Sequence, residues 1–402
     1  MSARDPASVP PEEFWFCARC GTPNPARSYL TNCLGCGAHL SAKSTTPAPA
    51  KTQERARLGK SLWPWLARIV LATTWIYAGL ILLLLLLIHW VGETWWVVMV
   101  LLFFPRWFYL GPLVVLALLS GLLWQPSHWL KQGAVALVIA GPVMGFSLPI
   151  HRLWSSQPEG RRVRILSYNR GTQAIDGDRL VAMLEREHVD LICFQEWGKL
   201  SLAVEDYLSK GWYRDQQGFL ASRFPIVSEL PRLGKEYASE DRFSSRMTSA
   251  KIRTPEGTEF ILASVHLPTL RYGFERLMNR DVHGLKLHIE WWAHELNRAV
   301  KGISETGNLP FIMAGDFNMP SDNSSMATLK TAMRFGFEEA GVGYGYTRPS
   351  KYPWFRIDHI LSSPEWVFTR CWVGDDYGSD HLPLLAELIL PGAPGTKANP
   401  ER

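Results

Sequence analysis

The segment Pro310–Met319, PFIMAGDFNM, places two polar side chains directly after a short apolar run. Phe311–Met313 is typical of a buried strand, and the Ala-Gly pair that follows is small enough for close approach of a neighbouring backbone. Asp316 and Asn318 then lie two residues apart. At a strand end, a carboxylate can orient a water or hold a hard cation. An amide there can contact a phosphate oxygen without adding negative charge.

Other polar clusters lie at the ends of apolar, strand-length runs elsewhere in the chain. In chain order they are Ser167-Tyr168-Asn169, Gln195-Glu196, His266, Asp358-His359 and Ser379-Asp380-His381. Polar groups at the ends of several strands can form a site at one rim of a two-sheet enzyme. Carboxylate and amide oxygens suit Mg²⁺ or Mn²⁺ rather than zinc, and the histidines can orient water and bind phosphate oxygens.

The order of these clusters makes the sequence resemble the endonuclease/exonuclease/phosphatase superfamily, which has the deoxyribonuclease-I-like fold. The matching motifs are SYN, QE, SVHLP, GDFN, RIDHI and GSDH, and the resemblance covers roughly residues 161–390. Six motifs in order are specific, whereas each alone is weak. The resemblance implies a four-layer α/β sandwich that performs metal-assisted cleavage of a phosphoester, in a catalytic domain spanning residues 161–392.

The resemblance also implies a metal site. Glu196 corresponds to the principal ligand of Mg²⁺ or Mn²⁺, assisted by Asn169 and Asp380. A degenerate member would show a substituted ligand or a lost histidine, and this sequence retains both kinds of residue. We therefore expect an enzyme rather than an inert copy of the fold.

The same resemblance assigns catalytic and substrate-binding roles. His381, oriented by Asp358, corresponds to the catalytic His–Asp pair, and Asp316 would orient the attacking water. Asn318 and His266 would hold the phosphate. The sequence leaves open whether Asp316 or His381 is the general base, and we favour Asp316.

Residues 14–40 contain two CxxC pairs, each followed by a glycine. Four thiolates in two such turns form a closed tetrahedral Zn²⁺ site, and the metal supplies much of the folding free energy of so short a segment. The four predicted ligands are Cys17, Cys20, Cys33 and Cys36. The alternative is two redox-active pairs. Trp15 and Asn24 also resemble the nucleoporin-type zinc finger. The separation between Cys20 and Cys33 is slightly long for that pattern, so we predict a generic zinc ribbon whose partner is unknown.

The composition of the chain is uneven. Hydrophobic residues make up 47% and charged residues only 20%, because residues 62–150 are almost uncharged. The net charge of +5 is too mild to argue for a nucleic-acid partner. Residues 41–61 are rich in Ser, Thr, Pro and Ala, then in basic residues, and predict a disordered linker.

The apolar region, residues 62–150, predicts about three transmembrane helices. Ile69–Ile88 is uncharged and has the length of about 20 residues that a bilayer requires. Trp107–Trp124 and Gly133–Ile150 are shorter uncharged stretches, interpreted as the second and third spans. Thr94–Pro105 is too short to span and predicts an interfacial segment, although a fourth span is the alternative.

The number of spans determines where the catalytic domain lies. The basic stretch Lys51–Arg68 belongs in the cytoplasm by the positive-inside rule, and a reducing compartment suits the cysteines. Three spans then predict a multi-pass protein of the bacterial cytoplasmic membrane with an extracytoplasmic catalytic domain. Four arginines after the third predicted helix oppose this orientation: Arg152, Arg161, Arg162 and Arg164.

The combination of this fold with N-terminal membrane helices resembles bacterial membrane members of the superfamily, including the teicoplanin-resistance type. It implies a phosphatase or pyrophosphatase that acts on a lipid-linked phosphate, with the lipid bilayer as partner. A metal-dependent nuclease and a phospholipase C-like enzyme are alternatives with the same site chemistry. The nuclease is disfavoured because the domain leaves little room for a DNA-gripping surface. A non-enzymatic zinc-ribbon adaptor would require an inert site.

Overall fold

The structure is a computed structural model that describes residues 14–17, 19–25, 32–37, 39, 50–154, 158–196, 200–231, 246–305 and 307–391. The chain forms two compact units. The first comprises residues 1–75 and 116–129, and the second comprises residues 76–115 and 130–402. The second unit therefore combines part of the apolar region with the predicted catalytic domain.

The cysteine-rich segment contains two short antiparallel strands, β1 (Phe14–Phe16) and β2 (Pro23–Pro25). Gly21 and Gly37 both have a φ of +71°, a conformation that favours glycine. Their amides donate to the carbonyls of Cys17 and Cys33 at 2.8 and 2.9 Å. Each CxxC turn is therefore closed by the glycine that follows it.

Helix α1 runs from Ala50 to Leu86, so it begins inside the segment predicted as a disordered linker. The prediction was wrong for residues 50–61, while residues 41–49 lie outside the described part. The segment lacks an apolar stripe, but its Ala, Lys, Glu, Arg and Leu residues have high helix propensity. That propensity extends the apolar helix at its N-terminus.

Three shorter helices follow in the apolar region: α2 (Trp96–Phe103), α3 (Gly111–Leu122) and α4 (Pro126–Val138). Among the described residues, one continuous helical stretch, Leu62–Thr94, is long and apolar enough by itself to cross a membrane. It contains the first predicted span. Trp96–Phe103 and Arg106–Leu122 are long and apolar enough to cross a membrane only when they are counted as one span, and the angle between the two helices is 88°.

The predicted second span, Trp107–Trp124, contains α3, whereas the predicted third span, Gly133–Ile150, contains only the end of α4 and the π-helical turn Ile139–Val143 that follows it. Among the described residues, neither α3 nor α4 alone is long and apolar enough to cross a membrane. The predicted interfacial segment forms α2, whose Val98, Met99 and Leu102 are buried within the protein. Burial of these residues makes α2 part of a protein core, so its apolar composition reflects packing within the chain.

Two six-stranded sheets form the rest of the second unit, as the predicted α/β sandwich requires. The first has the order β13-β14-β3-β4-β6-β5, with β3 Gly160–Asn169, β4 Leu191–Gln195, β5 Tyr213–Arg214, β6 Leu220–Ser222, β13 Val367–Val373 and β14 Leu384–Pro391. The second has the order β11-β12-β10-β9-β8-β7, with β7 Ile226–Glu229, β8 Arg246–Arg253, β9 Glu259–His266, β10 Phe311–Asp316, β11 Arg334–Phe335 and β12 Asp358–Ser362.

The helices of this unit are α5 (Gly177–Arg186), α6 (Leu202–Leu208), α7 (Arg271–Met278), α8 (Val282–Ser304), α9 (Ser324–Leu329) and α10 (Gly336–Ala340). The facing sides of the sheets share one core, to which both contribute alternate apolar side chains, as in Ile165 and Leu262. The other face of the first sheet packs against α5 and α6 through residues such as Ile192 and Leu184. The expected α/β sandwich is confirmed.

Sheet register brings the polar strand ends together. His266 pairs with Asp316 where β9 and β10 run parallel, and Asp316 pairs with Asp358 across the antiparallel β10–β12 ladder. In the other sheet, Asn169 pairs with Gln195 at the ends of the parallel strands β3 and β4. The clusters identified in the sequence therefore meet at one edge of the sandwich.

Two charged side chains of the otherwise apolar region, Arg106 and Glu93, bind residues of the sandwich. Arg106, which is buried, donates to both carboxylate oxygens of Asp322 at 2.6 and 2.9 Å. Glu93 accepts from the backbone amides of Ser324 and Ser325 at 3.2 and 3.0 Å, and from both of their hydroxyls. These contacts hold the segment that directly follows the GDFN motif.

Candidate active site

Asp316 lies at the centre of the site, at the end of β10, and is almost fully buried. It follows a glycine that lies against the neighbouring strand: a Cβ on Gly315 would be 1.8 Å from the Val265 carbonyl oxygen. Oδ2 of Asp316 accepts from Nδ2 of Asn169 at 2.9 Å, and Oδ1 accepts from the amide of Asn318 at 2.8 Å. The carboxylate is thus fixed in one orientation.

A second buried group is the His381–Asp358 pair. His381 Nδ1 lies 2.8 Å from Asp358 Oδ2, and Thr347 Oγ1 donates to that same oxygen at 2.5 Å. His381 Nε2 lies 3.6 Å from Asp316 Oδ2 and has no hydrogen-bond partner among the described residues. A buried nitrogen without a partner next to a carboxylate is suited to contact a bound substrate.

The charges of these groups are coupled. Burial opposes the charged form of His381, but the Asp358 and Asp316 carboxylates raise its pKa to about 9. Burial also opposes ionisation of Asp358, yet the charge and hydrogen bond of His381 hold the pKa of Asp358 below its usual range. Burial raises the pKa of Asp316. At neutral pH, His381 is therefore a proton donor, and Asp316 is the more basic of the two carboxylates.

The open side of the site contains His266, Glu196 and Asn169. His266 Nε2 lies 3.7 Å from Asp316 Oδ2 and 3.9 Å from Glu196 Oε1. Asn169 Nδ2 donates to the same Glu196 oxygen at 3.1 Å. Glu196 is partly exposed, with 30% of its side-chain surface accessible, so its carboxylate can be reached from solvent.

This donor set fits a divalent cation. Glu196 and Asp316 direct carboxylate oxygens towards one space, and hard oxygen donors are the ligands that Mg²⁺ and Mn²⁺ prefer. Glu196 would hold the ion, with Asn169 beside it once its amide presents the oxygen instead of the nitrogen. When bound, the cation would supply positive charge where negative charge develops on a phosphoryl group. Asp316, Asp358 and His381 form another group with ligand atoms within 4.8 Å of one another.

Two of the predicted site residues have strained backbones. Glu196 has a φ of +58° and Asn318 a φ of +52°, in a region that non-glycine residues rarely adopt. Such conformations persist where the surrounding structure determines them, and they occur often at functional sites. Asn318 is held by its side chain, which donates to the Leu267 carbonyl at 2.9 Å.

Asp380, predicted to assist the metal, makes a different contact in the structure. Its Oδ2 accepts from Arg348 Nη2 at 2.9 Å. Its Oδ1 faces the backbone at Gly171, where an added Cβ would be 3.0 Å away. The metal-binding role of Asp380 stays a prediction, and the structure adds Arg348 as its partner.

The sequence reasoning missed Thr347 and Arg348. They precede the RIDHI motif and lie outside all six matched motifs. Thr347 donates to Asp358, and Arg348 binds Asp380, so each contacts a predicted site residue. Thr347 has no charge and no distinctive spacing from the other motifs. The feature of the sequence that could have identified these two residues is the position of Thr347-Arg348-Pro349 before the RIDHI motif.

The N-terminal cysteines form a separate candidate metal site. Their four sulfur atoms lie within 4.8 Å of one another, including Cys17–Cys36 at 3.8 Å and Cys20–Cys33 at 3.6 Å. Zn–S bonds of about 2.3 Å in a tetrahedron separate the sulfurs by roughly 3.8 Å. A backbone hydrogen bond at Cys36 lowers the pKa of Cys33 to about 6. The cluster fits a zinc ribbon.

Comparisons with known proteins identify a family for the chain. Residues 166–381, more than half of the chain, match the Endonuclease/Exonuclease/phosphatase family. A search of curated proteins found no match.

Three solved structures illustrate the structural likeness. An endonuclease/exonuclease/phosphatase from Bacteroides vulgatus is 18% identical, with a TM-score of 0.46 and coverage of 57% of this chain and 99% of that one. The mannosyl-6-phosphatase Bt3783 of Bacteroides thetaiotaomicron is 18% identical, with a TM-score of 0.43 and coverage of 56% and 99%. The catalytic domain of human Nocturnin is 16% identical, with a TM-score of 0.40 and coverage of 58% and 99%.

Proposed function

We propose, from the premise that this chain belongs to the endonuclease/exonuclease/phosphatase family and is a hydrolase of phosphoric esters, that it is attached to a membrane and releases phosphate or pyrophosphate from a lipid-linked substrate. The proposal has three parts: the chemistry of the site, the attachment, and the substrate. A different set of residues supports each part.

The chemistry follows from the arrangement of charges. Glu196, aided by Asn169, would hold Mg²⁺ or Mn²⁺ next to the phosphoryl group. Asp316, a buried carboxylate with a raised pKa, orients the attacking water and accepts its proton. His381, protonated at neutral pH, donates a hydrogen bond from its unpartnered Nε2 to a phosphoryl oxygen, where negative charge develops. His266 and Asn318 contact the other oxygens.

Membrane attachment is supported by exposed apolar surface. The helical stretch Leu62–Thr94 is only 22% buried over its most apolar 18-residue window. Large apolar side chains along the second-unit part of that stretch face outward: Ile76, Leu80, Leu82, Leu83, Leu86 and Trp90. Monomeric soluble proteins rarely expose contiguous apolar patches of this kind. A bilayer would cover this surface.

The observation that carries the lipid substrate is the position of α2. Phe103, at its end, contacts Phe274 of α7 at 5.3 Å and Phe355 at 5.5 Å between ring centroids. Phe274 follows His266 by eight residues, and Phe355 precedes Asp358 by three. Because α2 begins two residues after the exposed stretch Leu62–Thr94 ends, these contacts connect that stretch to two segments that lead directly to the site. A substrate confined to the head-group layer would then meet the site at high effective concentration.

The test compares substrates on one preparation. Detergent-solubilised full chain is assayed with Mg²⁺ for phosphate release from undecaprenyl and farnesyl pyrophosphate, and for nicking of plasmid DNA. We expect phosphate release that is lost in excess EDTA and reduced at least 100-fold in Glu196→Ala and Asp316→Asn, in line with loss of metal or general-base catalysis. Efficient nicking of DNA without release from either lipid would replace this proposal with a nuclease.

A further inference from the structure

A cavity of about 210 Å³ lies in the second unit. One wall is the segment from Pro142 to Ser147 that ends the apolar region. The other walls come from Arg106, from the loop after the GDFN motif, from Lys330 at the end of α9, from α10, and from the segment before β12. None of the predicted ligands or catalytic residues is among its described lining residues. Its charged lining residues are Arg106, Asp322, Lys330, Glu338 and Arg356.

These five residues leave one positive charge unmatched. Arg106 is paired with Asp322 by two hydrogen bonds. Lys330 Nζ lies 2.9 Å from Glu338 Oε1, whereas Arg356 Nη2 lies 3.8 Å from that same oxygen. Three cations thus share two carboxylates, and the closer partner of Glu338 is Lys330.

Arg356 is the group with unused binding capacity. Its guanidinium, with 10% of its side-chain surface accessible, donates to the Tyr344 carbonyl at 3.0 Å and to Ser321 Oγ at 3.3 Å. A guanidinium has five N–H donors in a planar fork that suits phosphate oxygens. The nearest anion to Arg356, Glu338, lies closer to Lys330, and a buried cation that is only partly compensated is unfavourable. An anion that entered the cavity would relieve that cost.

The surroundings of the cavity suit a lipid. Phe146, on its wall, is exposed, as are Leu148 and Ile150 just beyond it. Tyr344 lies edge-on to Phe146 at 5.2 Å, and aromatic rings with one polar end favour membrane interfaces. Basic pockets beside apolar helices are a recurrent binding site for lipid head groups.

We propose that this cavity binds the phosphodiester head group of an anionic phospholipid, as a site separate from the catalytic one. One unmatched positive charge corresponds to the single negative charge of a phosphodiester. Arg356 contacts the phosphate oxygens, Ser321 and Tyr346 lie beside them, and the apolar wall at Phe146 accommodates the chains. The inference rests on the membrane attachment proposed above and is independent of the catalytic substrate.

Two substitutions at one ion pair test the site without changing Arg356. In Lys330→Gln, Glu338 is released to neutralise Arg356, so lipid binding should weaken. In Glu338→Gln, a second positive charge becomes unmatched, so binding should tighten. We expect changes of about tenfold in dissociation constant in opposite directions. Both residues are about one-third exposed, so the fold should tolerate both changes.

The neighbouring ion pair supplies matched controls. Arg334 and Glu339 form a comparable pair at 3.4 Å in the same part of the chain, and neither lines the cavity. Arg334→Gln and Glu339→Gln change the net charge by the same amounts, so they should leave lipid binding unchanged.

Binding is measured by thermal unfolding of the delipidated full chain in detergent, with Glu196→Ala and EDTA to silence the catalytic site. Because a ligand that binds the folded state stabilises it, phosphatidylglycerol should raise the melting temperature, while phosphatidylcholine and inorganic phosphate should not. An equal rise with inorganic phosphate would assign the site to free phosphate and overturn the lipid. Identical behaviour of the two cavity variants and the controls would overturn the site. Membrane fractionation of the same chain tests attachment separately.

Discussion

At the residue scale, the Asp358 carboxylate oxygen that binds His381 also accepts from Thr347. The Thr347 hydroxyl therefore helps to fix the Asp358 carboxylate, which in turn orients His381. The group is buried, so loss of one hydrogen bond leaves an acceptor without full compensation. A residue outside the known motifs can therefore influence turnover without touching the substrate.

We expect Thr347→Val to lower kcat by about tenfold, because a buried hydrogen bond to a charged group contributes about 1.5 kcal/mol or more, while KM changes little. Thr347→Ser keeps the hydroxyl and should retain most of the activity. Steady-state kinetics of the three proteins, with thermal unfolding as a check on folding, provide the measurement. A change in KM alone would contradict the positioning role.

The His381–Asp358 pair also predicts a pH dependence of stability in metal-free protein. The folded-state pKa of His381 is raised from 6.5 to about 9, so the protonated form stabilises the fold. That contribution is fully present below pH 6.5 and is lost as pH rises through 9. Chemical unfolding at a series of pH values should therefore show the wild type losing more stability over this window than His381→Gln. Parallel pH profiles for the two proteins would refute the assignment.

At the scale of elements, the zinc ribbon depends on the four sulfur atoms of its cysteines. The ribbon has two short strands and little apolar core. We expect the reduced full chain to contain one zinc per molecule, and Cys33→Ser to lose it, since a closed site requires all four ligands. Elemental analysis measures the metal. Activity of the Cys33→Ser protein should be retained, because the catalytic residues belong to the other unit.

The ion pair between Arg106 and Asp322 is expected to stabilise the second unit strongly. Only 7% of the Arg106 side-chain surface is accessible, against 31% for Asp322, and removal of one partner of a fully buried pair typically costs about 3–5 kcal/mol. Because Asp322 is partly accessible, Arg106→Gln should lower the free energy of unfolding by up to that amount. Lys210→Gln, which breaks the solvent-exposed Lys210–Asp206 pair, with 71% and 67% of the side-chain surfaces accessible, is the control and should cost less than about 1 kcal/mol. Equal losses in denaturant titrations would contradict the argument.

At the scale of the whole molecule, the proposed membrane attachment makes the number of spanning helices decide on which side hydrolysis would occur. Among the described residues one helical stretch is long and apolar enough to span alone, and the bent pair after it can be a broken span or a re-entrant loop. With a cytoplasmic N-terminus, one crossing leads to the extracytoplasmic side, as three would. Reporters fused before residue 60 and after residue 392 should therefore respond as cytoplasmic and extracytoplasmic. A cytoplasmic response from both would show an even number of crossings.

The residues that could be predicted from the sequence are those that form short patterns along the chain. Asp316 and Asn318 follow an apolar run, and the CxxC turns carry their own glycines. Contacts between distant segments left no such pattern: Arg106 and Asp322 are 216 residues apart, and neither belongs to a motif. The helical start of α1 was missed because propensity, rather than an apolar stripe, determines it.

The contacts of Glu93 with α9 have a practical meaning for protein engineering. A truncated protein that starts at residue 161, where the predicted catalytic domain begins, would lack the carboxylate that caps Ser324 and Ser325 and the guanidinium that neutralises Asp322. The loop behind Asn318 would then lose its support, although every catalytic side chain would still be present. A water-soluble version of the enzyme must therefore keep residues 92–106 and replace their outward-facing apolar side chains, instead of deleting them.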